Sequence, residues 1–330
     1  MACVFAKPSI QAAVQHPADH PFMPSGTRTS AASLPTSSWL SPVPLLFVFL
    51  WSTGFIVAKL GLPYAPPLTF VILRCLGVLA VLLPVVFLLR APWPRGQILH
   101  VAVAGLLLQA GYLGGVWAAI KIGMPAGLTA LIVGMQPILT AAAAPLIGER
   151  VRPRQWLGFA LGLSGVVLVV YSKLHLAGLT AAGIALCIVA LFCITAGTMY
   201  QKRYCPGFDL RTGTVIQFAA TVLALLPLAI VLEGLDLRFS TITWSAEFIF
   251  AWLWSIFALS IGAIFLLFTL IRRSRATEVS SLLYLTPPTT AIMAWLLFGE
   301  SFSLLAVAGM LVAVLGVAFV VKKPHNKETP

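Results

Sequence analysis

Apolar runs of about 20 residues recur along most of this sequence. Each run is long enough to cross the ~30 Å hydrocarbon core of a bilayer as an α-helix. Soluble domains carry roughly a quarter charged residues, whereas only 9% of these 330 residues are charged and 60% are hydrophobic. Such sparse charges cannot cover a soluble surface of this size. The sequence therefore predicts an all-α polytopic membrane protein.

Charged residues, prolines and glycines divide the apolar part into ten predicted transmembrane helices. The segment before them, residues 1–42, is rich in Ser, Thr, Pro and Ala and lacks a long apolar run, so we predict a disordered cytoplasmic tail. Residues 322–330 are predicted to form a second cytoplasmic tail. The predicted helices cover residues 43–61, 67–89, 98–120, 125–147, 155–171, 178–200, 212–232, 246–271, 277–298 and 302–321.

The distribution of basic residues predicts the orientation of these helices. Most Lys and Arg fall in one set of alternate loops, and the other set holds only Lys59, Lys121, Lys173 and Arg238. By the positive-inside rule, both termini lie in the cytoplasm and the chain lies in the cell inner (plasma) membrane. The net charge of +12 is scattered over short loops, which excludes a nucleic-acid partner. The five cysteines contain no CxxC pair, so no disulfide, metal site or cofactor is expected.

The chain also repeats itself. Two halves, residues 43–173 and 174–321, each hold five predicted helices, so the second half enters the membrane from the opposite side. Such a 5+5 inverted repeat is typical of secondary transporters, whose halves rock about a site near the bilayer midplane. At an offset of 151 the matched residues are Pro137 and Pro288, Gly148-Glu149 and Gly299-Glu300, Gly158 and Gly309, and Gly165 and Gly316. At an offset of 143 they are Gly54 and Gly197, Lys59 and Lys202, Thr69 and Thr212, and Leu83-Pro84 and Leu226-Pro227.

Four stretches carry a pattern that is similar to a known family. They read LWSTGFIVAKLGLPYAPPLTFVILR, GLTALIVGMQPILT, LIGERVRPRQWLGFALGLSGVVLVV and ATEVSSLLYLTPPTTAIMAWLLFGE. With them, residues 43–321 resemble the paired EamA domains of the drug/metabolite transporter superfamily. The resemblance implies ten helices in a 5+5 inverted repeat and movement of small metabolites, commonly amino acids or related compounds, often outward. Thr286-Pro287-Pro288 departs from the single proline that is usual in this pattern.

Two prolines fall near the middle of matched helices. Pro137 and Pro288 each remove a backbone hydrogen bond, so each should bend its helix and free a carbonyl group. A group freed in hydrocarbon must find a partner or line a wet cavity. We expect both bends to border the substrate cavity, with Gln136 and Tyr284 supplying polar atoms. The alternative is that the prolines serve packing and that Gln136 bonds to a neighbouring helix.

Two glutamates close the same helices. Gly148-Glu149 and Gly299-Glu300 place a helix-ending glycine before an acid at the membrane edge. Because topology separates Glu149 and Glu300 across the membrane, they cannot form a catalytic pair. We expect them to cap or gate the helix-helix turns rather than to contact substrate.

Three further residues are candidates for substrate binding. Arg74 is the only basic residue well inside a predicted helix, and ionisable residues in such places are functional suspects. It either binds a substrate carboxylate or snorkels to the outer surface. Gln109 and Tyr112 are three residues apart, which puts them on one helix face, so they rank above Trp117, which could also anchor the helix at the interface.

These observations favour a secondary transporter for a small-molecule substrate in the lipid bilayer, working by alternating access. Export is expected, and an importer or exchanger of the same fold is the alternative. An intramembrane enzyme is disfavoured because no DxxD-like cluster, GxSxG or HExxH occurs. No P-loop is present, so ATP is not the direct energy source. A homodimer stays an open alternative.

Overall fold

The computed structural model describes residues 42–143, 153–174, 179–205, 207–236, 238–263, 266 and 285–321. Within these ranges the chain forms helices joined by turns and contains no β-strand. Two of the helical segments, π1 and π2, have the wider π-helical hydrogen bonding. In chain order the segments are α1 (Pro42–Gly61), α2 (Pro67–Leu88), α3 (Ile98–Gly105), π1 (Leu106–Leu113), α4 (Gly114–Lys121), α5 (Ala126–Val133), α6 (Gln136–Ala143), α7 (Pro153–Leu174), α8 (Ala181–Tyr204), α9 (Leu210–Glu233), α10 (Ala246–Trp254), π2 (Ser255–Gly262), α11 (Thr286–Phe298) and α12 (Leu304–Val321).

These segments account for the ten predicted helices and confirm an all-α polytopic fold in two sets of five. Six continuous helices are long and apolar enough to cross a membrane, and three shorter apolar helices accompany them. The third predicted helix is α3, π1 and α4 in line, the fourth is α5 and α6, and the eighth is α10 and π2. The remainder of the eighth helix, the start of the ninth, Glu149, Tyr284 and both tails lie outside the described residues.

Side-chain caps begin several helices. Thr180 accepts from Gly183 N at the start of α8, and Ser245 accepts from Phe248 N at the start of α10. Such caps satisfy N–H groups that have no partner inside the helix. At the other end, Gly299 closes α11 in the left-handed conformation (φ 64°). This confirms the predicted helix stop, since glycine adopts that conformation without strain.

Glycines bring the last helices of the two halves into backbone contact. A methyl group added to Gly165 would lie 2.5 Å from Gly309 O, and one added to Gly316 would lie 2.4 Å from Gly162 N. α7 and α12 therefore pack through matched glycines, as small-residue spacing predicts in membranes.

The outside of the bundle is apolar. Phe87, Leu88, Leu223, Val231 and Leu304 are exposed, whereas the largest buried side chains include Trp117, Phe70 and Phe248. An apolar outer surface around fully hydrogen-bonded helices suits a lipid environment.

We name the two ends of the bundle by their charged residues. The acid end carries Glu233, Glu300, Asp236 and Glu247 at or beside helix termini. The basic end carries Arg90, Arg95, Lys202, Arg203 and Arg211.

Asp209, also at the basic end, caps α9 by accepting from Arg211 N at 2.9 Å. Hydrogen bonds from the Arg211 side chain hold the pKa of the Asp209 carboxyl below its ordinary value.

Candidate functional site

The fourth helix of the first half is interrupted just before a proline, and the described part of the fourth helix of the second half has two prolines in its first turn. α5 ends at Val133 and α6 begins at Gln136, so the break falls at Gly134–Met135. Pro137 is the second residue of α6, where its missing N–H costs little. The expected bend is therefore an interruption of the α-helix by a turn at Gly134–Met135, just before Pro137. In the second half, Pro287 and Pro288 occupy the first turn of α11.

The break of the first half faces the first described turn of α11 in the second half. A methyl group added to Gly134 would lie 2.9 Å from Pro287 Cγ and 2.9 Å from Ala130 O, so only glycine fits there without movement. Seven residues line a small apolar void beside this contact. They are Leu131, Gly134, Met135, Pro287, Ala313, Val314 and Val317. The two halves thus meet at their irregular helix segments.

Gln136 bonds to a neighbouring helix. Its Nε2 donates to Thr198 Oγ1 on α8 at 3.0 Å, and that hydroxyl donates in turn to Ile194 O. This is the contact expected if the amide joins helices. Its predicted partner across the cavity, Tyr284, lies outside the described residues.

Gln109 and Tyr112 lie in π1, whose counterpart in the second half is π2. The two π segments occupy matching places, 149 residues apart. In a π-helix the hydrogen bonds span five residues rather than four. The wider turn changes the angle between side chains three residues apart, and the shared face of Gln109 and Tyr112 stays a prediction.

Arg74 lies among three helices. Its Nε donates to Ser260 Oγ in π2 at 3.1 Å, and its Cζ lies 5.9 Å from the ring centroid of Trp117 on α4. α2 also packs against π1, which carries Tyr112. The Arg74 side chain is half-buried. Arg74 thus contacts both halves, whereas Gln136 bonds to α8.

The Arg74 side chain points into the bundle. Gly61, Phe70 and Ala251 share one level, because a methyl group added to Gly61 would lie 2.4 Å from Phe70 Cε1 and 3.2 Å from Ala251 Cβ. The helices of Arg74 and Ser260 both run from the acid end toward the basic end. At 1.5 Å per residue, Arg74 lies about 6 Å beyond Phe70 in that direction, and Ser260 lies about 13 Å beyond Ala251. The guanidinium therefore reaches away from the acid end. Snorkelling to that surface would require the opposite direction.

Glu300 joins three segments at the acid end. Its carboxylate pairs with Lys59 at the end of α1. It also accepts from Ala126 N at 3.0 Å and from Gly127 N at 3.5 Å. A carboxylate at a helix N-terminus meets free N–H groups and the positive end of the helix dipole. A residue of the second half thus caps α5 of the first half.

Glu233 makes a second contact of this kind. It accepts from Leu68 N, Thr69 N and Thr69 Oγ1, each at 2.8 Å, and so caps α2. At the basic end the matching threonine, Thr212, donates instead to Pro92 O at 2.9 Å. The residue that matches Glu233 at an offset of 143 is Arg90. At the acid end, carboxylates of the second half therefore cap helices of the first half.

Gln217 is a polar intramembrane residue that the sequence reading missed. It matches Arg74 at the offset of 143, so carrying the repeat forward from Arg74 would have found it. Its Nε2 donates to Gln201 Oε1 at 3.3 Å. Gln201 is buried near the end of α8.

The described residues contain no group of three His, Cys, Asp or Glu that could hold a metal ion. What the site offers is a guanidinium, hydroxyl groups, amides and aromatic rings at the junction of two repeats. Such groups can bind and orient a small molecule.

The chain is similar to known proteins in sequence and fold. The pattern of the EamA-like transporter family matches residues 40–171 and 181–322. A "Probable amino-acid metabolite efflux pump" of Salmonella typhimurium is 28% identical over 83% of this chain and 91% of its own length. The "Uncharacterized inner membrane transporter YedA" of Escherichia coli K12 is 27% identical over 82% of this chain and 87% of its own length. A solved protein structure, 21% identical, shares the fold over 84% of this chain and 94% of that chain, with a TM-score of 0.56.

Proposed function

Because the chain belongs to the EamA-like transporter family, we propose that it exports amino-acid-like metabolites across the inner membrane. The family and the names of its relatives support a membrane transporter for small molecules rather than an enzyme. Export is supported by a relative named as an efflux pump. The inner-membrane location is supported by the name of another.

Alternating access is the mechanism we propose, and one observation carries it. The interrupted fourth helix of the first half packs at Gly134 against Pro287, at the start of the described fourth helix of the second half. Discontinuous helices at the junction of inverted repeats border the substrate site in secondary transporters. Rocking about this junction would open one end of the bundle as it closes the other. In this proposal Pro137 and Pro288 lie at the hinge, one in each half.

The acid end is the outward end in this proposal, which puts both termini in the cytoplasm. Glu300 and Glu233 tie the halves together there through four backbone N–H groups, one hydroxyl and Lys59. These bonds have to break if the halves separate at that end. They therefore hold the outward end closed, and Glu149 is proposed to act likewise at the basic end.

The proposed substrate-binding residues are Arg74, Tyr112, Gln109, Gln136 and Tyr284. Arg74 bonds to Ser260 of the second half, and Tyr112 lies on π1, which packs against the helix of Arg74. Gln136 lies beside the break and could exchange its bond with Thr198 for one with substrate.

Release of labelled amino acids tests the proposal. Cells loaded with a labelled amino-acid mixture are compared with and without the full chain, and everted membrane vesicles from the same cells are assayed for uptake. An exporter gives faster release from cells and faster uptake into everted vesicles. Faster uptake into intact cells would identify an importer, and no change in either direction would refute amino-acid transport.

A further inference from the structure

Arg74 is a cation in the membrane that has no acid beside it among the described residues. It forms no ion pair there, and its contacts are with Ser260 and Trp117. None of the nine Asp and Glu residues falls in the middle of a predicted helix. An unpaired charge inside a membrane protein is costly and is retained where function requires it.

The acids at the acid end are already bonded. Glu300 pairs with Lys59 and caps α5. Glu233 accepts three hydrogen bonds at the start of α2. Neither carboxylate is therefore available to neutralise Arg74.

The fold does not need a positive charge at this position. α2 and α9 are matching helices that pack on each other, and α9 carries the neutral Gln217 where α2 carries Arg74. Both helices form. α2 packs against the third helix of the second half, and α9 packs against the third helix of the first half. Because a glutamine serves in one copy, the arginine of the other copy has a role beyond packing.

Donors remain for a ligand at this site. The guanidinium has five N–H donors, and the described contacts use only the Nε group. The buried Trp117 Nε1 has no acceptor among the described residues. Phe70 holds the Trp117 ring from behind in a tilted contact, at 4.4 Å between ring centroids. The site combines a planar cation with one adjacent aromatic ring, Trp117.

We propose that the terminal nitrogens of Arg74 bind the carboxylate of the transported molecule, so that this protein selects carboxylates and rejects amines and other cations. The geometry of a guanidinium suits two parallel hydrogen bonds to one carboxylate. The Trp117 ring, whose centroid lies 5.9 Å from Arg74 Cζ, lies beside the bound carboxylate. This inference rests on the proposed function, since it names the chemical class of its substrate.

Matched acid and amide pairs test the inference by binding, separately from transport. The purified full chain in lipid nanodiscs is heated with L-leucine, L-phenylalanine, L-threonine or propionate, and with the primary amide of each. At least one acid should raise the unfolding temperature at a concentration about tenfold or more below that needed by its amide. In Arg74→Gln, which copies the second half, this preference should fall to about twofold or less.

Two controls separate binding from folding. Arg74→Lys keeps the charge and should keep a preference for acids. Arg238→Gln removes an exposed loop cation and should leave the preference unchanged. Equal shifts for acids and amides in the unaltered chain, no shift with any probe, or an unaltered preference in Arg74→Gln would each overturn the inference. Acid-selective binding without release from cells would contradict only the proposed function.

Discussion

Replacing Glu300 with glutamine should open the acid end. The substitution keeps the size of the side chain but removes the charge that faces Lys59 and the N-terminus of α5. Hydrogen bonds to charged groups contribute about 1.5–3 kcal/mol each, and neutral ones about 1 kcal/mol. The Glu300 side chain is only 7% exposed, whereas Lys59 is 31% exposed and can turn to water. We therefore expect a net loss of about 2–3 kcal/mol.

This loss should appear in the equilibrium between closed and open acid ends. If the contacts exist only in the closed state, that loss shifts the equilibrium by a factor of roughly 30 to 150. The reporter is Ala126→Cys in a chain without its other cysteines, because Ala126 is fully buried beside Glu300. Its rate of reaction with a polar maleimide in nanodiscs should rise by about that factor in Glu300→Gln.

A matched substitution at the same end controls for charge. Glu247 is exposed at the start of α10, so Glu247→Gln should leave the labelling rate of Ala126→Cys unchanged. Equal rates in the Glu300→Gln and unaltered proteins would show that the contact persists in both states, and the assignment of Glu300 to closure would be abandoned.

Three further predictions concern packing, the candidate amide and helix capping. Gly316→Leu should lower stability by about 1–3 kcal/mol because its side chain meets the backbone of α7; thermal unfolding against the lipid-facing Leu315→Ala measures this, and equal melting would exclude a tight contact. Gln136→Leu should weaken apparent substrate affinity several-fold if the amide binds substrate, whereas unchanged affinity with less folded protein would leave it only a helix-joining role. Asp209→Asn should be less stable at neutral pH, where the carboxylate is charged, and this difference should shrink as pH falls through the lowered pKa of Asp209; a pH-independent difference would argue against it.

Much of the fold could be predicted because membrane helices follow from apolar length and from the repeat. Gly299 ends its helix as its place in the repeat predicts. The break before Pro137 was predicted only to within a few residues, because Gly134 allows close contact with Pro287 and that contact joins distant parts of the chain. Helix continuity there depends on packing as well as on proline.

The candidate site was less predictable because its contacts cross the repeat. Arg74 and Ser260 are 186 residues apart, and Glu300 and Ala126 are 174 apart. Side-chain type marked Arg74 and Glu300 as unusual, but only the three-dimensional arrangement identifies their partners. Periodicity also assumed α-helical geometry for Gln109, and nothing in the local sequence distinguishes a π-helix from an α-helix there.

The matched π segments have a consequence for how the two halves move. π1 and π2 stand at equivalent places in helices that cross the membrane in opposite directions. π-helical segments are rare and are found mostly at functional sites. A widened turn in the third helix of each half gives both halves the same local irregularity, one approached from each side of the membrane.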